Sequence, residues 1–598
     1  MWTGHSGPRA FLRRFHVDIL VLLVSCCVFL PLIVSPPHLM DDVDAVQAQI
    51  ARNMLESGDW VTAQLDGVAY LEKSPLIYWI MACSYRIFGV HDWAARLPLG
   101  LINIALCWVT ARFAMWAFGR RAGLYSGTVL ATCIGMFLFT RILIPDAALT
   151  LTIALALWSL LRLLDASERR PWLWFSLFYI SLACGLLLKG LIAAVFPVVI
   201  GLIYLAITRE ASVREIWRRL RPVSGVALLL LIAAPWHILA VLGNPPYFDW
   251  TMHSSPGEYH GFFWFYFLNE HLFRFLNMRY PRDYNTVPRL WFWLLHFAWL
   301  FPWSATLVGA FRQSYRPVSR AGKVRLMALI WITFVLVFFS LSTTQEYYSL
   351  PIYPALAVLL GSDLAVRERY PRIARIVLAS VLGLCLSAII FLLVWTAKTP
   401  TPGDISTALT QNPDAYTLSL GHMSDLTLRS FAYLRLPLAL AGCGLLVGVV
   451  GLSRVRKTGA AIAVLAVMMV AFVQAARLAL VTFDPYLSSK QLADALTRSE
   501  PGTLIEGDAY YAFSSVFFYT NRTALLWNGR SNNLEYGSYA PNAPQVFIDD
   551  AELKKLWSGA QRTYLLVYGS DLPRLEVLLG KQFNRVASSG GNYLLCNQ

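Results

Sequence analysis

Charge is scarce in this chain: Asp, Glu, Lys and Arg make up 14% of its 598 residues against 57% hydrophobic, and the mean hydropathy is +0.53. A soluble enzyme of this length cannot cover its surface with so few charges, so that class is excluded. Cysteine is thin as well. Of nine, eight lie in or beside hydrophobic segments and only Cys596 falls in the polar tail, which yields neither a disulfide framework nor a CxxC metal site. The tail has no Gly-rich nucleotide loop and no nucleophile elbow. The chain shows no internal repeat of the kind transporters often carry as matched halves.

What is abundant is apolar sequence in long runs. Stretches of the roughly 20 residues needed to cross a bilayer core number about thirteen: near 16–36, 95–117, 122–140, 143–164, 171–188, 190–207, 224–242, 289–310, 326–342, 347–365, 376–397, 433–453 and 458–482. The fifth and sixth are short and split by Lys189-Gly190. The formal charge of +15 does not point to nucleic acid, because Lys and Arg gather in alternate loops: Arg120-Arg121, Arg169-Arg170, Arg214 to Arg221, Arg312 to Arg325, Arg367 to Arg375 and Arg454 to Lys457. With Arg13-Arg14 ahead of the first span, the positive-inside rule places the N-terminus and these loops in the cytoplasm and the C-terminus outside. The first span is long and lacks a small-residue cleavage site, so it reads as a retained anchor.

The expected fold is therefore a polytopic α-helical membrane protein of about thirteen spans. Residues 1–483 form the membrane domain and 484–598 a small outer α/β domain. Three outer loops are long, 37–94, 243–288 and 398–432. In the first, Asp41 or Asp42 is placed to cap a helix with Val43, Val46, Ile50 and Met54 on one face and Gly58 at its end. A second helix starts at Pro75 and runs to Gly89, too short to span, so both are expected along the interface. In the tail, strand-like runs at 502–506, 546–548 and 563–568 alternate with helical patterns near 487–498, 550–557 and 571–580.

Polar residues crowd the outer loops. Asp41, Asp42 and Asp44 exceed what capping needs, and adjacent carboxylates raise one another's pKa, which suits a general base. Lys73, beside Glu72 and after Tyr70, either snorkels in a pair with Glu72 or grips a lipid phosphate. Arg141 and Asp146 flank a tight turn between spans three and four. They read as functional groups or as partners of each other. Glu270 and His271, with Glu258, His260 and Glu72, have the chemistry of metal ligands but no zinc-type spacing. The aromatic run Phe262 to Phe267 suits a headgroup belt or a groove for lipid chains. Tyr347 and Tyr348, in Ser342 to Pro351, face either lipid or a substrate phosphate.

As a set, these residues resemble the bacterial lipid-carrier-dependent glycosyltransferases of the C-type superfamily, in the branch of the lipid A aminoarabinose transferases and protein O-mannosyltransferase-like enzymes. The matching pieces are Asp41-Asp42 with Ile50 to Trp60, Tyr70-Leu71-Glu72-Lys73, Phe88-Gly89-Val90 with Ala95 to Pro98, Pro145-Asp146, Glu270-His271 with Arg274, and Tyr347 to Pro354. The resemblance implies a many-spanning enzyme with a small outer domain. It gives Asp41 and Asp146 the catalytic places. Lys73 and Arg274, with Tyr70 and Tyr347, would hold the carrier phosphate, and Asp42, Arg141 and Glu270 would line the substrate cavity. Glu72 and His271 stand where relatives can bind a divalent metal; no other cofactor is implied. The chain departs from aminoarabinose-type relatives at Asp44 and Ala45, where Arg and Tyr are common, and at Ser74, where Pro is. An acid in place of an anion-binding Arg disfavours a phosphate-bearing acceptor.

The expected function is inverting transfer of a sugar from polyprenyl (undecaprenyl) phosphate to a periplasm-facing acceptor, lipid A or another envelope glycolipid or glycan, in the bacterial inner membrane. Protein O-glycosylation by the same chemistry is the variant, and a lipid-linked sugar flippase the rival. A transporter wants ionisable residues near mid-span, whereas here the acids gather at one surface.

Overall fold

A computed structural model describes residues 8–282, 286–411, 416, 421–580 and 583–598, with side chains from residue 15 onward. Arg13 and Arg14 thus lie in the described helix Pro8–Ile33, but their side chains fall outside the description. Among the described residues ten helices are long and apolar enough to cross a membrane, and up to twelve if two bent pairs count as one span each. The expectation of thirteen is corrected on this measure by three backbone breaks.

Two of those breaks answer each other. Arg120–Ala131 and Ile134–Thr140 meet at 52°, and Arg289–Trp299 and Trp303–Phe311 at 93°. Pro302 cannot donate an amide hydrogen bond, which ends the helix before it. At the other break the amide of Ile134 donates to the carbonyl of Phe301 at 3.1 Å, and the Trp303 indole donates to Thr132 Oγ1 at 3.1 Å. Backbone groups freed inside a bilayer must find partners within the protein, and here an amide at one kink meets a carbonyl at the other. The third break is Lys189-Gly190, which leaves Ile192–Thr208 at 17 residues, a short apolar helix.

The first long loop, 37–94, folds inward. Val43–Ser57 is a helix, closed by Gly58 in the left-handed region at φ 74°, where a residue without Cβ is favoured. Its start differs from expectation: Asp42 occupies the N-cap position but makes no capping bond through its side chain. Nor does this helix present one face outward, since Asp44 through Ala51 are all buried. Leu76–Phe88 follows Pro75 and ends at Gly89, within the expected bounds. Between them β1 (Gln64–Leu65) and β2 (Val68–Ala69) form a small hairpin.

What covers the loop is the tail. The last span runs through residue 483 to Leu487, so the expected domain boundary falls inside a helix. Beyond it stand β3 (Thr503–Glu506), β4 (Leu525–Trp527), β5 (Phe547–Ile548), β6 (Thr563–Tyr568), β7 (Asn584–Ser589) and β8 (Asn592–Cys596), in the order β5-β4-β3-β6-β8-β7. The first four in that order are parallel; β8 and β7 are antiparallel additions. The buried apolar runs of β3 and β6 are legible in sequence, whereas the polar edge strand β7 is not. One hydrophobic core joins Val46, Ile50 and Tyr78 of the loop to Leu492, Phe513, Phe517 and Leu594 of the tail. Backbone bonds seal the seam: the Asp41 amide donates to Leu487 and the Asp42 amide to Tyr511, both at 2.8 Å.

Candidate active site

At the meeting of membrane helices, first loop and tail lies a cavity of about 1410 Å³. Part of its wall is apolar, with Phe196, Phe338, Phe339, Leu438 and Phe472. The rest is polar, with Asp42, Lys73, Asp146, Lys189 and Arg274.

Lys73 belongs to an ion network. Its ammonium lies 3.7 Å from Glu72, and the Arg274 guanidinium reaches Glu270 at 2.6 Å and Glu72 at 3.4 Å. Arg279, its side chain fully buried, closes on Glu270. Three cations against two carboxylates give the cluster a net positive charge. Burial alone would raise the Glu72 carboxyl, but Lys73, Arg279 and Arg274 outweigh it and hold it down at about 2. The tail also enters: Asn533, in the helix Asn532–Ser538, donates to Glu72 at 2.6 Å, beside the Tyr70 hydroxyl at 2.6 Å. Asn533 is not legible as a site residue in the sequence, because nothing local links it to residues more than 450 positions earlier.

The second group is built around Lys189. Its ammonium donates to Asp146 at 2.6 Å and lies over the rings of Tyr347 and Tyr348 at 5.3 and 5.2 Å. Asp146 therefore pairs with Lys189, and the pairing with Arg141 that sequence left open does not occur; Arg141 has Asp44 as its electrostatic neighbour. The signal for Lys189 was present as an ionisable residue inside an apolar run. In sequence, Lys189-Gly190 reads only as the split between two short spans.

Next to Lys189 the chain turns at Gly190, with φ 69°, and a Cβ there would collide with the His271 ring and the Tyr266 hydroxyl. His271 sits on the π-helix Trp264–Phe273, and burial lowers its pKa, keeping the ring neutral. Its Nδ1 faces the Tyr266 carbonyl at 2.6 Å and must donate; its Nε2 accepts the Leu191 amide at 3.0 Å. Both nitrogens are thus spent on backbone, and Glu72 is filled by hydrogen-bond donors and cations. Among the described residues no group of three His, Cys, Asp or Glu side chains is placed to hold a metal ion. The arrangement does not fit the metal that the resemblance implied at Glu72 and His271. His260, another candidate ligand, bonds Asp249 at 2.7 Å.

Asp41 and Asp42 part ways. Asp41 uses both oxygens on the tail, accepting from the Ser489 hydroxyl at 2.7 Å and the Ser515 amide at 2.8 Å. Burial nevertheless raises its carboxyl to about 7. Asp42 is exposed on the cavity wall, in the left-handed region at φ 72°, which costs a non-glycine residue energy. Asp44, where relatives commonly have Arg, accepts from the Leu143 amide at 3.0 Å and pairs with Arg96 at 3.5 Å. It buttresses the turn that carries Arg141. Most of the aromatic run Phe262 to Phe267 is inside the protein, and Phe265 stacks on Tyr536 of the tail at 4.2 Å.

Residues 72–238 match the family of dolichyl-phosphate-mannose-protein mannosyltransferases. Relatives include the undecaprenyl phosphate-alpha-4-amino-4-deoxy-L-arabinose arabinosyl transferase 2 of Pseudomonas fluorescens, 29% identical over 61% of this chain and 59% of the relative. The undecaprenyl phosphate-alpha-4-amino-4-deoxy-L-arabinose arabinosyl transferase of Pseudomonas aeruginosa is 31% identical over 54% of this chain and 55% of the relative. The match thus spans between half and three fifths of these relatives' length. The crystal structure of ArnT from Cupriavidus metallidurans bound to undecaprenyl phosphate superposes with a TM-score of 0.75, at 22% identity, over 99% of both chains. The chain accordingly has the fold of that membrane protein and is similar in sequence to the undecaprenyl-phosphate-dependent arabinosyl transferases, which bears out its resemblance to the lipid-carrier glycosyltransferases of the C-type superfamily.

Proposed function

We propose that this protein is an inverting glycosyltransferase that moves a sugar from a polyprenyl phosphate to an envelope glycolipid or glycan, lipid A among the candidates, on the outer face of the bacterial inner membrane. One observation carries the reading: a net-positive cluster containing Lys73 and Arg274 stands in the same cavity as an apolar wall, which suits an isoprenoid chain ending in a phosphate.

In this reading the acceptor oxygen attacks the anomeric carbon from the face opposite the phosphate. The new C–O bond forms as the bond from that carbon to the phosphate oxygen breaks, and the electron pair leaves with the polyprenyl phosphate. Lys73 and Arg274 stabilise the departing charge, as preorganised cations do in a water-poor site. The acceptor's proton passes to a carboxylate of the first loop. Asp41, with its pKa near 7, is the base, because it is both ionisable and basic at working pH. Asp146 acts by holding Lys189 over the tyrosines. Tyr70 acts through Glu72, to which its hydroxyl is bonded.

The test is mass spectrometry of lipid A and other envelope glycans from cells with the intact gene, a deletion, and Asp41→Ala at matched protein level. A sugar-sized mass lost in both altered strains supports transfer and names the acceptor. A mass lost in the deletion but kept in Asp41→Ala removes Asp41 from catalysis and favours a flippase.

A further inference from the structure

The parallel strands of the tail point their carboxyl ends at the cavity. After β3 comes Asp508, after β4 Ser531 and Asn532, and after β6 Ser570; all four line the same space as Lys73 and Lys189, and Asn592 joins them from the start of β8. From β3 the chain steps to β4 and then β5 on one side, and next to β6 on the other. Loops leaving a sheet in opposite directions at such a reversal open a crevice, and open α/β sheets hold ligands there. Here the crevice forms part of the wall of a cavity that also holds the cationic cluster.

The tail's share of the wall differs in chemistry from the cationic cluster. The tail's polar lining residues are hydroxyls, amides, tyrosines and one carboxylate, with no Lys or Arg among those described. Asp42 stands on the neighbouring wall. The Tyr568 phenol is raised by burial and then by Asp508, Asp41, Glu506 and Asp42, so these carboxylates share one neighbourhood. A phosphate seated beside Asp508 and Asp42 would face acids, and Arg141, at the end of the helix Ile134–Thr140, already neighbours Asp44. Amides and hydroxyls in a concave wall instead match the hydroxyls of a sugar.

We propose that this crevice is the acceptor subsite, and that it takes an uncharged or amine-bearing sugar unit which receives the transferred sugar on a hydroxyl. The proposal rests on the glycosyl-transfer reading above. It gives the tail a share in the chemistry: the membrane half holds the donor's phosphate and the tail orients the acceptor hydroxyl toward the first-loop carboxylates.

The experiment uses the full chain in two assays, binding of undecaprenyl phosphate to the protein in lipid nanodiscs and mass spectrometry of glycolipids and glycans from cells. The variants are Ser570→Trp, Asn592→Ala, Asp508→Asn and Asp508→Lys; Asp508 and Ser570 are exposed, so their replacement spares the core. Undecaprenyl phosphate binding is expected to stay within about twofold of the unsubstituted protein, while the sugar-bearing product falls by about tenfold or more in Ser570→Trp and Asn592→Ala. Asp508→Lys is expected to fall further than Asp508→Asn. Product unchanged in Ser570→Trp and Asn592→Ala, or raised in Asp508→Lys as an anionic acceptor would require, overturns the proposal. An unsubstituted protein that neither binds undecaprenyl phosphate nor yields a sugar-sized mass overturns the transfer reading itself, and this one with it.

Discussion

Lys189 and Asp146 form a pair 2.6 Å apart at the ends of two apolar helices, with the carboxylate enclosed and the ammonium facing Tyr347 and Tyr348. Removing one partner of such a pair leaves an uncompensated charge in a poorly solvated place and costs about 3–5 kcal/mol. Asp146→Ala is expected to lower the thermal midpoint strongly and abolish product. The double variant Asp146→Ala/Lys189→Met should recover most of the stability and none of the activity. Recovery of product in the double variant would show that the pair serves only the fold.

Gly190 is the hinge of that arrangement. Its φ of 69° disfavours any L side chain, and its would-be Cβ points into His271 and Tyr266. Gly190→Ala is expected to displace the His271 ring, lower stability by about 1–3 kcal/mol, and remove product. Thermal denaturation and the mass spectrum check this; a variant with unchanged midpoint and product refutes the packing argument.

Carrier binding should depend on Lys73 and Arg274 unequally. Loss of a charge-assisted hydrogen bond costs about 1.5–3 kcal/mol, roughly a tenfold to hundredfold change in affinity. Lys73→Ala is expected to weaken undecaprenyl phosphate binding by that amount. Arg274→Ala should do so and also destabilise the protein, because Glu270 and Glu72 lose a buried partner. Equal thermal midpoints for the two variants would contradict the network described.

Proton linkage gives a separate test at the seam between loop and tail. Burial raises both Asp41 and Asp66 from the ordinary 3.8 to about 7. Between those values the folded protein keeps protons that the unfolded chain has released. Their contribution to stability is full below about pH 3.8 and is lost as pH rises through about 7. The midpoint of Asp41→Asn/Asp66→Asn should therefore gain on the parent as pH increases from 4 to 8. If Asp41 is also the base, product formation in the parent should rise through about pH 7. A difference in midpoint that stays constant over this range would refute the assignment.

Composition and local pattern by themselves determined that this is a many-spanning membrane protein with a polar tail, and they drew attention to the polar residues of its long loops. Runs of apolar residues, paired Gly and Pro signals and clustered acids act over a few residues, so they are legible in order along the chain. Val43–Ser57 and Leu76–Phe88 were readable for that reason. What pairs with what was not. The partners of Asp41 are Ser489 and Ser515, that of Glu72 is Asn533, and that of Asp146 is Lys189. Each is fixed by how helices and tail close on one another. The two kinks at Ile134 and Phe301 are likewise intelligible only together. In a bilayer every freed amide and every buried charge must be met from within the protein, and only the tertiary structure decides which distant residue meets it.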